Sequence, residues 1–312
     1  MKIPNYLKNP LTNKAILNDD DLNYFNGILD LFIEDNNLLT NVQSDFYNEV
    51  MFPNYDNIDN FSSLLYKSQK SIFAKKLDQE IPFGSRVLEA GCGTGQLSIS
   101  LSRFNRQITG IDLSKNSLIE AKKFIDLNGI TSVDLIRMNI FKMFFYDEYF
   151  DVVISNGVLH HTHNPRLAFS KLCNVLKNHG LIVIGLYHSY GRIIHNIRQF
   201  FTKIFGKNFL KIIDRRLTEN ISEKKKYAWL LDQYYNPSET KHNFFQVLDW
   251  FKENKIEYIS SIPFDFDVNK KIFEKKNISN KLSYFIKEFS MIFEPRQIYE
   301  GGFFVMIGRK VS

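Results

Sequence analysis

Cysteine is scarce in this 312-residue chain. The two present, Cys92 and Cys173, form no CxxC pair, which argues against a disulfide scaffold and a structural zinc centre. No apolar run reaches the roughly 18 residues that suggest a membrane-spanning helix. The opening residues, Met1 to Pro10, lack the charged-then-apolar layout of a secretory signal, so the expected location is the cytoplasm. Internal repeats and low-complexity segments are also missing, so the fold is not built by tandem repetition.

What is present fits a folded protein with a sizeable core, since 44% of the residues are hydrophobic. The formal net charge of +6 is modest for this length and supports a polyanionic partner only weakly. Its distribution says more. The first sixty residues carry ten Asp/Glu, among them Asp19, Asp20 and Asp21, against Lys2, Lys8 and Lys14. From Arg192 to Tyr227 the balance reverses, with ten basic residues against Asp214, Glu219 and Glu223.

Between these segments apolar runs alternate with amphipathic ones, the pattern of repeated β-α units and a parallel sheet. Strands are expected at Arg86 to Ala90, Gln107 to Asp112, Val133 to Met138, Asp151 to Ser155 and Gly180 to Tyr187, with two more at Ile256 to Ile262 and Phe303 to Ile307. Ser114 and Asn164-Pro165 are suited to open helices. The expectation is an α/β fold with a Rossmann-like, seven-stranded, mostly parallel sheet and helices on both faces. Residues 1–80 read as a helical cap, with Leu22, Phe25, Ile28, Leu29, Leu31 and Phe32 near helical spacing. Residues 81–312 read as the catalytic domain, with a basic helical insertion at about 191–237.

The first strand runs into Glu89-Ala90-Gly91-Cys92-Gly93-Thr94-Gly95. Glycines at 91, 93 and 95 let the backbone turn tightly and approach a ligand, and the next helix offers unpaired N–H groups. Asp112 ends the second strand, where a carboxylate can accept from ribose hydroxyls. The spacing is G-x-G-x-G with Glu89 two positions ahead, unlike the G-x-G-x-x-G of nicotinamide-dependent oxidoreductases.

In these residues the chain resembles the class I S-adenosylmethionine-dependent methyltransferases, close to the small-molecule pattern that includes quinone-biosynthesis enzymes. The resemblance covers residues 70–190 clearly. It implies S-adenosylmethionine as cofactor, with Gly91, Gly93 and Gly95 beside its methionine and ribose. It further implies Glu89 near the amino group or bracing the loop, Asp112 on the ribose diol, and Asn156 and Gly157 beneath the sulfonium. Asn139 stands where the family usually has an acidic residue near adenine, keeping the acceptor and losing the charge. Cys92 is expected to contribute only backbone.

Transfer from a sulfonium chiefly requires a nucleophile held in line and away from water, with a general base optional. Tyr187, Tyr190 and His160 follow strand ends and are the leading acceptor-side catalytic residues. His161 and His188 are neighbouring candidates, and Tyr47 and Tyr55 come next. One of the paired histidines is expected to bond across its loop. No carboxylate completes a metal set with His160, His161 and His163, so no metal is expected.

The Asn/Asp-Pro-Pro-aromatic tetrapeptide used on exocyclic base amines does not follow the fourth strand. Cys173 lies within a helix and is no pyrimidine nucleophile. A small-molecule acceptor is therefore favoured over RNA. The alternatives are an RNA-directed methyltransferase and a non-catalytic module that binds S-adenosylmethionine or RNA, using the basic insertion. The insertion opens with Ile193, Ile194, Ile197, Phe200, Phe201, Ile204 and Phe205 at helical spacing, and its first reading is a lid on the acceptor pocket. The others are a membrane-surface element and an RNA-binding face. Asp232, Tyr234, Tyr235 and Glu239 lead back to the core and offer polar contacts. Oligomeric state leaves no trace in the sequence.

Overall fold

The computed structural model describes residues 6–9, 22–34, 37–49, 55, 58–206, 210, 214, 217, 222–276, 278, 280–293 and 302–312. Asp19, Asp20 and Asp21 of the acidic segment, and Glu219 of the insertion, lie outside the described residues.

The strands are β1 (Asn23–Phe25), β2 (Ile28–Asp30), β3 (Arg86–Ala90), β4 (Gln107–Asp112), β5 (Val133–Arg137), β6 (Phe150–Asn156), β7 (Leu176–Tyr187), β8 (Ile256–Ile262) and β9 (Phe303–Lys310). They form one nine-stranded sheet in the order β1-β2-β5-β4-β3-β6-β7-β9-β8. Strands β2 to β7 run parallel, whereas β9 lies antiparallel between β7 and β8. Order reverses at β3, with β4 and β5 laid to one side and β6 and β7 to the other. A crevice therefore opens at the carboxyl end of β3, where such sheets bind ligands.

The helices are α1 (Leu38–Glu49), α2 (Phe61–Lys70), α3 (Ile72–Glu80), α4 (Gln96–Leu101), α5 (Lys115–Leu127), α6 (Pro165–Val175), α7 (Ile193–Phe205), α8 (Glu223–Tyr234), α9 (Phe244–Glu253) and α10 (Lys281–Ser290). Strand side chains alternate between two cores, as the pleat requires. Leu88, Val153, Ile182 and Ile184 join Phe169 of α6 and Trp250 and Phe251 of α9 on one face. Val87, Val152, Ile154 and Val183 join Leu77 of α3, Ile99 of α4 and Leu118 and Phe124 of α5 on the other. Ser114 and Asn164 cap α5 and α6 by accepting from Ser117 N and Leu167 N, and Pro165 takes the first turn of α6. Among the described residues no helix is long and apolar enough to cross a membrane.

Two expectations need correction. The seven expected strands form, but the sheet has two more, because Asn23 to Asp30 is a hairpin rather than helix. Asn26 and Gly27 both have positive φ, 48° and 74°, the backbone that lets a two-residue turn follow the strand twist. The hairpin then pairs with β5, Leu29 opposite Ile136, and Asp30 meets Arg137 at 3.3 Å. Residues 1–80 are thus a mixed segment, with α1, α2 and α3 following the hairpin.

Candidate active site

The glycine loop follows from backbone need. Gly91, Gly93 and Gly95 have φ of 80°, 54° and 73°, in the region that side chains disfavour. A Cβ on Gly91 would lie 2.3 Å from the Val158 side chain, so the loop also packs too closely for any larger residue. Asp112 holds the loop from the end of β4. Its Oδ2 accepts from Gly93 N at 2.8 Å and its Oδ1 from Ser114 N at 2.8 Å. Burial pushes this carboxyl upward, opposed by the backbone N–H groups of Ser114, Gly93 and Leu113.

Glu89 is enclosed behind the loop and accepts from the Ser98 hydroxyl of α4. Burial drives its pKa up to about 7, with the Ser98 hydrogen bonds acting in the opposite direction. Cys92 is buried, its carbonyl accepts from Gly95 N at 2.8 Å, and burial pushes its thiol well up.

Glu89, Gly91, Cys92, Gly93 and Asp112 line a cavity of about 780 Å³ over the carboxyl ends of the strands, whereas Gly95 does not reach its wall; the volume is within the range of small-molecule sites. The cavity passes from Asn139 after β5 and Asp112 after β4, past Gly91, to Asn156 and Gly157 after β6 and Tyr187 at the end of β7. Asn139 is buried, and its amide oxygen accepts from Phe141 N at 2.9 Å, which places one lone pair in local use. Asn156 Oδ1 is buried without a hydrogen-bond partner.

The far wall comes from two segments distant in sequence. Thr40, Gln43 and Tyr47 of α1 and Trp229, Asp232 and Gln233 of α8 close over the strand ends. Ser114 Oγ donates to the Tyr47 carbonyl at 2.8 Å, tying α1 to the cap of α5. Tyr47 Oη donates to Asp232 Oδ1 at 3.1 Å, and Gln43 Nε2 donates to Asn236 Oδ1 at 2.9 Å. Gln233 Nε2 donates to Tyr187 Oη at 2.7 Å and to Asp232 Oδ2 at 2.8 Å. Burial raises the hydroxyls of both Tyr47 and Tyr187, so each stays protonated. The Arg192 guanidinium lies 3.9 Å from the centre of the Tyr187 ring and reaches Glu239 Oε2 at 2.7 Å and Gln233 Oε1 at 2.8 Å. Arg192 is therefore an internal strut, and its charge is no part of a surface patch.

Of the three acceptor-side residues, the structure brings only Tyr187 to the cavity wall. His160 is fully buried behind it, ring centroids 4.1 Å apart, and neither ring nitrogen has a partner. Burial holds its pKa well below that of an ordinary histidine. Consecutive side chains of the 3-10 turn Leu159–His161 diverge, so His161 faces the cavity and His160 faces inward. His161 Nδ1 lies 2.8 Å from Ser238 O, the expected bond across the loop. Tyr190 sits past the end of β7 and packs edge-on against Phe285 and Phe289 of α10. His188 is turned away too, with Nε2 2.9 Å from Glu288 Oε1. A place after a strand end is thus not enough to aim a side chain at the crevice.

The lid also differs from expectation. No residue of α7 lines the cavity, whereas α8 contributes Trp229, Asp232 and Gln233. The apolar face of α7, with Ile197 and Phe200 half or more exposed, points elsewhere. Gln43, Trp229 and Gln233 escaped sequence reasoning because no local pattern marks them. Among the described residues no group of three or more His, Cys, Asp or Glu is placed to hold a metal.

The profile of the family described as a methyltransferase domain matches residues 83–261. The chain belongs to this family. The matched span of the methyltransferase domain includes the glycine loop, Asp112, Tyr187 and Asp232, while Tyr47 and Phe303 lie outside it. Over 167 residues the chain is 29% identical to the malonyl-[acyl-carrier protein] O-methyltransferase of Buchnera aphidicola, covering 52% of this chain and 63% of that one. Over 110 residues it is 32% identical to the ubiquinone biosynthesis O-methyltransferase of Glaesserella parasuis, covering 33% and 45%. The chain spans about half the length of the curated relatives it matches. In fold it is similar to PKMT2 from Rickettsia typhi in complex with AdoHcy, with a TM-score of 0.52, 18% identity, and coverage of 72% of this chain and 49% of that one.

Proposed function

We propose that this chain is an S-adenosylmethionine-dependent methyltransferase acting on a small-molecule acceptor, with residues 1–80 serving as the cap over its site. One observation carries the reading: a single cavity joins the glycine loop and Asp112 to the enclosed wall of Tyr187, Tyr47 and Asp232. The residues fit a cationic donor. Glu89 and Asp112 present carboxylates along the loop side of the cavity, and Asn156, whose Oδ1 is buried without a partner, lines it at the end of β6; these groups suit an ammonium, a ribose diol and a sulfonium.

When bound, the donor supplies an electrophilic methyl group. In this reading Glu89 faces its amino group, while Asp112, already accepting from the backbone N–H groups of Ser114, Gly93 and Leu113, turns its remaining acceptor capacity to the ribose. Gly91, Gly93 and Gly95 bring the backbone close, and Asn139 stands by the adenine. Asn156 and Gly157 floor the reacting centre. The α1 and α8 walls exclude water and hold the acceptor in line. The same enclosure favours a small acceptor over a nucleic-acid strand, and internal pairing removes Arg192 from any RNA-binding face.

Calorimetry tests the donor assignment. S-adenosylmethionine and its demethylated product are expected at one site per chain, with nicotinamide dinucleotides far weaker. Asp112→Ala is expected to cost about 1.5–3 kcal/mol of donor affinity, the range for hydrogen bonds to a charged group. Unchanged affinity in a folded variant removes Asp112 from the donor site.

A further inference from the structure

We propose that Asp232 is the general base of this site and that its acceptor is a flat, neutral molecule presenting a phenol-like hydroxyl. The proposal rests on the methyltransferase reading above. Among the described residues three carboxylates line the cavity, Glu89, Asp112 and Asp232. The first two are committed to the glycine loop, through Ser98 and through Gly93 and Ser114. Asp232 stands on the wall shared with α1 and β7, beside Tyr187 at the strand end beyond β6.

Its surroundings hold it without neutralising it. Oδ1 accepts from Tyr47 and Oδ2 from Gln233, which leaves about one lone pair on each oxygen. Among the described residues no lysine or arginine pairs with it. The other titratable groups around it are Tyr47 from α1, Tyr187 from β7 and His161 after β6. Arg192 and Glu239 lie behind the Tyr187 ring and are paired with each other. Both tyrosines stay protonated, as burial raises them, and His161 is turned by Nδ1 to Ser238 O, so Asp232 is the carboxylate on this wall with lone pairs left for an acceptor's proton.

The wall also selects the acceptor. His161, Tyr187, Trp229 and Phe303 line this end of the cavity with aromatic rings, suited to a planar molecule. The lysine on the wall, Lys70, sits on α2 with its ammonium 4.3 Å from the Tyr66 ring centre. An acceptor carboxylate or phosphate thus meets Asp232 with no cation beside it. An alkyl alcohol is too weak an acid for a carboxylate to help, whereas a phenolic proton, with a pKa of about 10, is within reach. The hydroxyl proton passes to Asp232. The acceptor oxygen forms its bond to the methyl carbon as the donor's C–S bond breaks, and that electron pair stays on sulfur as a neutral thioether. Asp232 returns its proton to water when product leaves.

The full chain, saturated with the demethylated donor product, is titrated with 4-nitrophenol, whose ionisation is read by absorbance. A facing carboxylate holds the probe neutral, so the bound probe is expected to ionise at a higher pH in the parent than in Asp232→Asn, by on the order of one pH unit. Equal ionisation, or no probe binding by a chain that binds donor, overturns the proposal. With methyl-labelled donor and a panel of neutral phenols, carboxylic acids and amines, transfer to phenols is expected. Asp232→Asn is expected to lose about a hundredfold or more in kcat, with donor affinity within about threefold, and Asp232→Glu to recover part. Transfer to acids or amines while every phenol is refused overturns the acceptor class. Should Asp232→Asn not fold, Asp232→Ser removes the same charge and carries the same comparison. Absence of donor binding in the parent defeats the methyltransferase reading itself, which separates the two failures.

Discussion

Tyr47 and Asp232, 185 residues apart in sequence, are joined by a 3.1 Å hydrogen bond across the roof of the cavity. The Tyr47 carbonyl meanwhile accepts from Ser114, two residues beyond Asp112. One residue of α1 therefore ties the end of β4 to the wall formed by α8. Tyr47→Phe leaves Asp232 Oδ1 short of a donor and Asn236 Nδ2 short of an acceptor. A loss of about 1–3 kcal/mol in urea denaturation is expected. Unaltered stability would mean that the bond between α1 and α8 is not formed in solution.

If Glu89 faces the donor as proposed, donor binding is expected to depend on pH. Its pKa of about 7 is set by burial, and a cationic ligand binds its ionised form. Below that pH binding must first expel a proton, so donor affinity is expected to rise with pH and level off above about 7. Calorimetry in buffers of different ionisation enthalpy is expected to show proton release on the acid side, absent in Glu89→Gln. The Ser98 hydroxyl opposes the shift, so Ser98→Ala moves the inflection to higher pH.

Gly91→Ala carries two separable costs. The φ of 80° disfavours a side chain, by roughly 1–2 kcal/mol. The new methyl would also lie 2.3 Å from Val158 Cγ2. Overpacking typically adds about 1–3 kcal/mol. The double variant with Val158→Ala should recover the steric part and retain the backbone part. Recovery to parent stability would show that conformational strain at 91 is negligible.

His160 is a buried ring whose two nitrogens lack partners. Replacing such a group with an apolar ring of similar shape removes an unmet desolvation cost. His160→Phe is therefore expected to be as stable as the parent or more stable, by up to about 1 kcal/mol, in thermal and urea unfolding. A clear destabilisation would reveal a partner for His160 in solution.

Local order accounts for what the sequence made legible. The apolar runs from Arg86 to Tyr187 alternate between two buried faces, and each expected strand of the core is present within a few residues. Glycines at 91, 93 and 95 with a carboxylate at 112 marked the loop side, because a tight turn and its brace need particular residue types. Asn26-Gly27 is a turn dipeptide that the near-helical spacing of the apolar residues around it concealed. That stretch became strands because the open edge of β5 supplies hydrogen bonds that the isolated segment lacks.

The acceptor side had no comparable local signature. Whether His160 or His161 faces the crevice depends on the rotation of one short turn, and Tyr190 was carried past the site by the chain's exit from β7. The sequence by itself determined the seven core strands, the glycine loop and the carboxylate that braces it, since these follow from periodicity and backbone conformation within a few residues. Only the tertiary structure decided that α1 and α8 meet over the strand ends and turn Tyr47, Gln233 and Asp232 toward Tyr187, because hydrogen bonds between distant segments exist only once packing has brought them together.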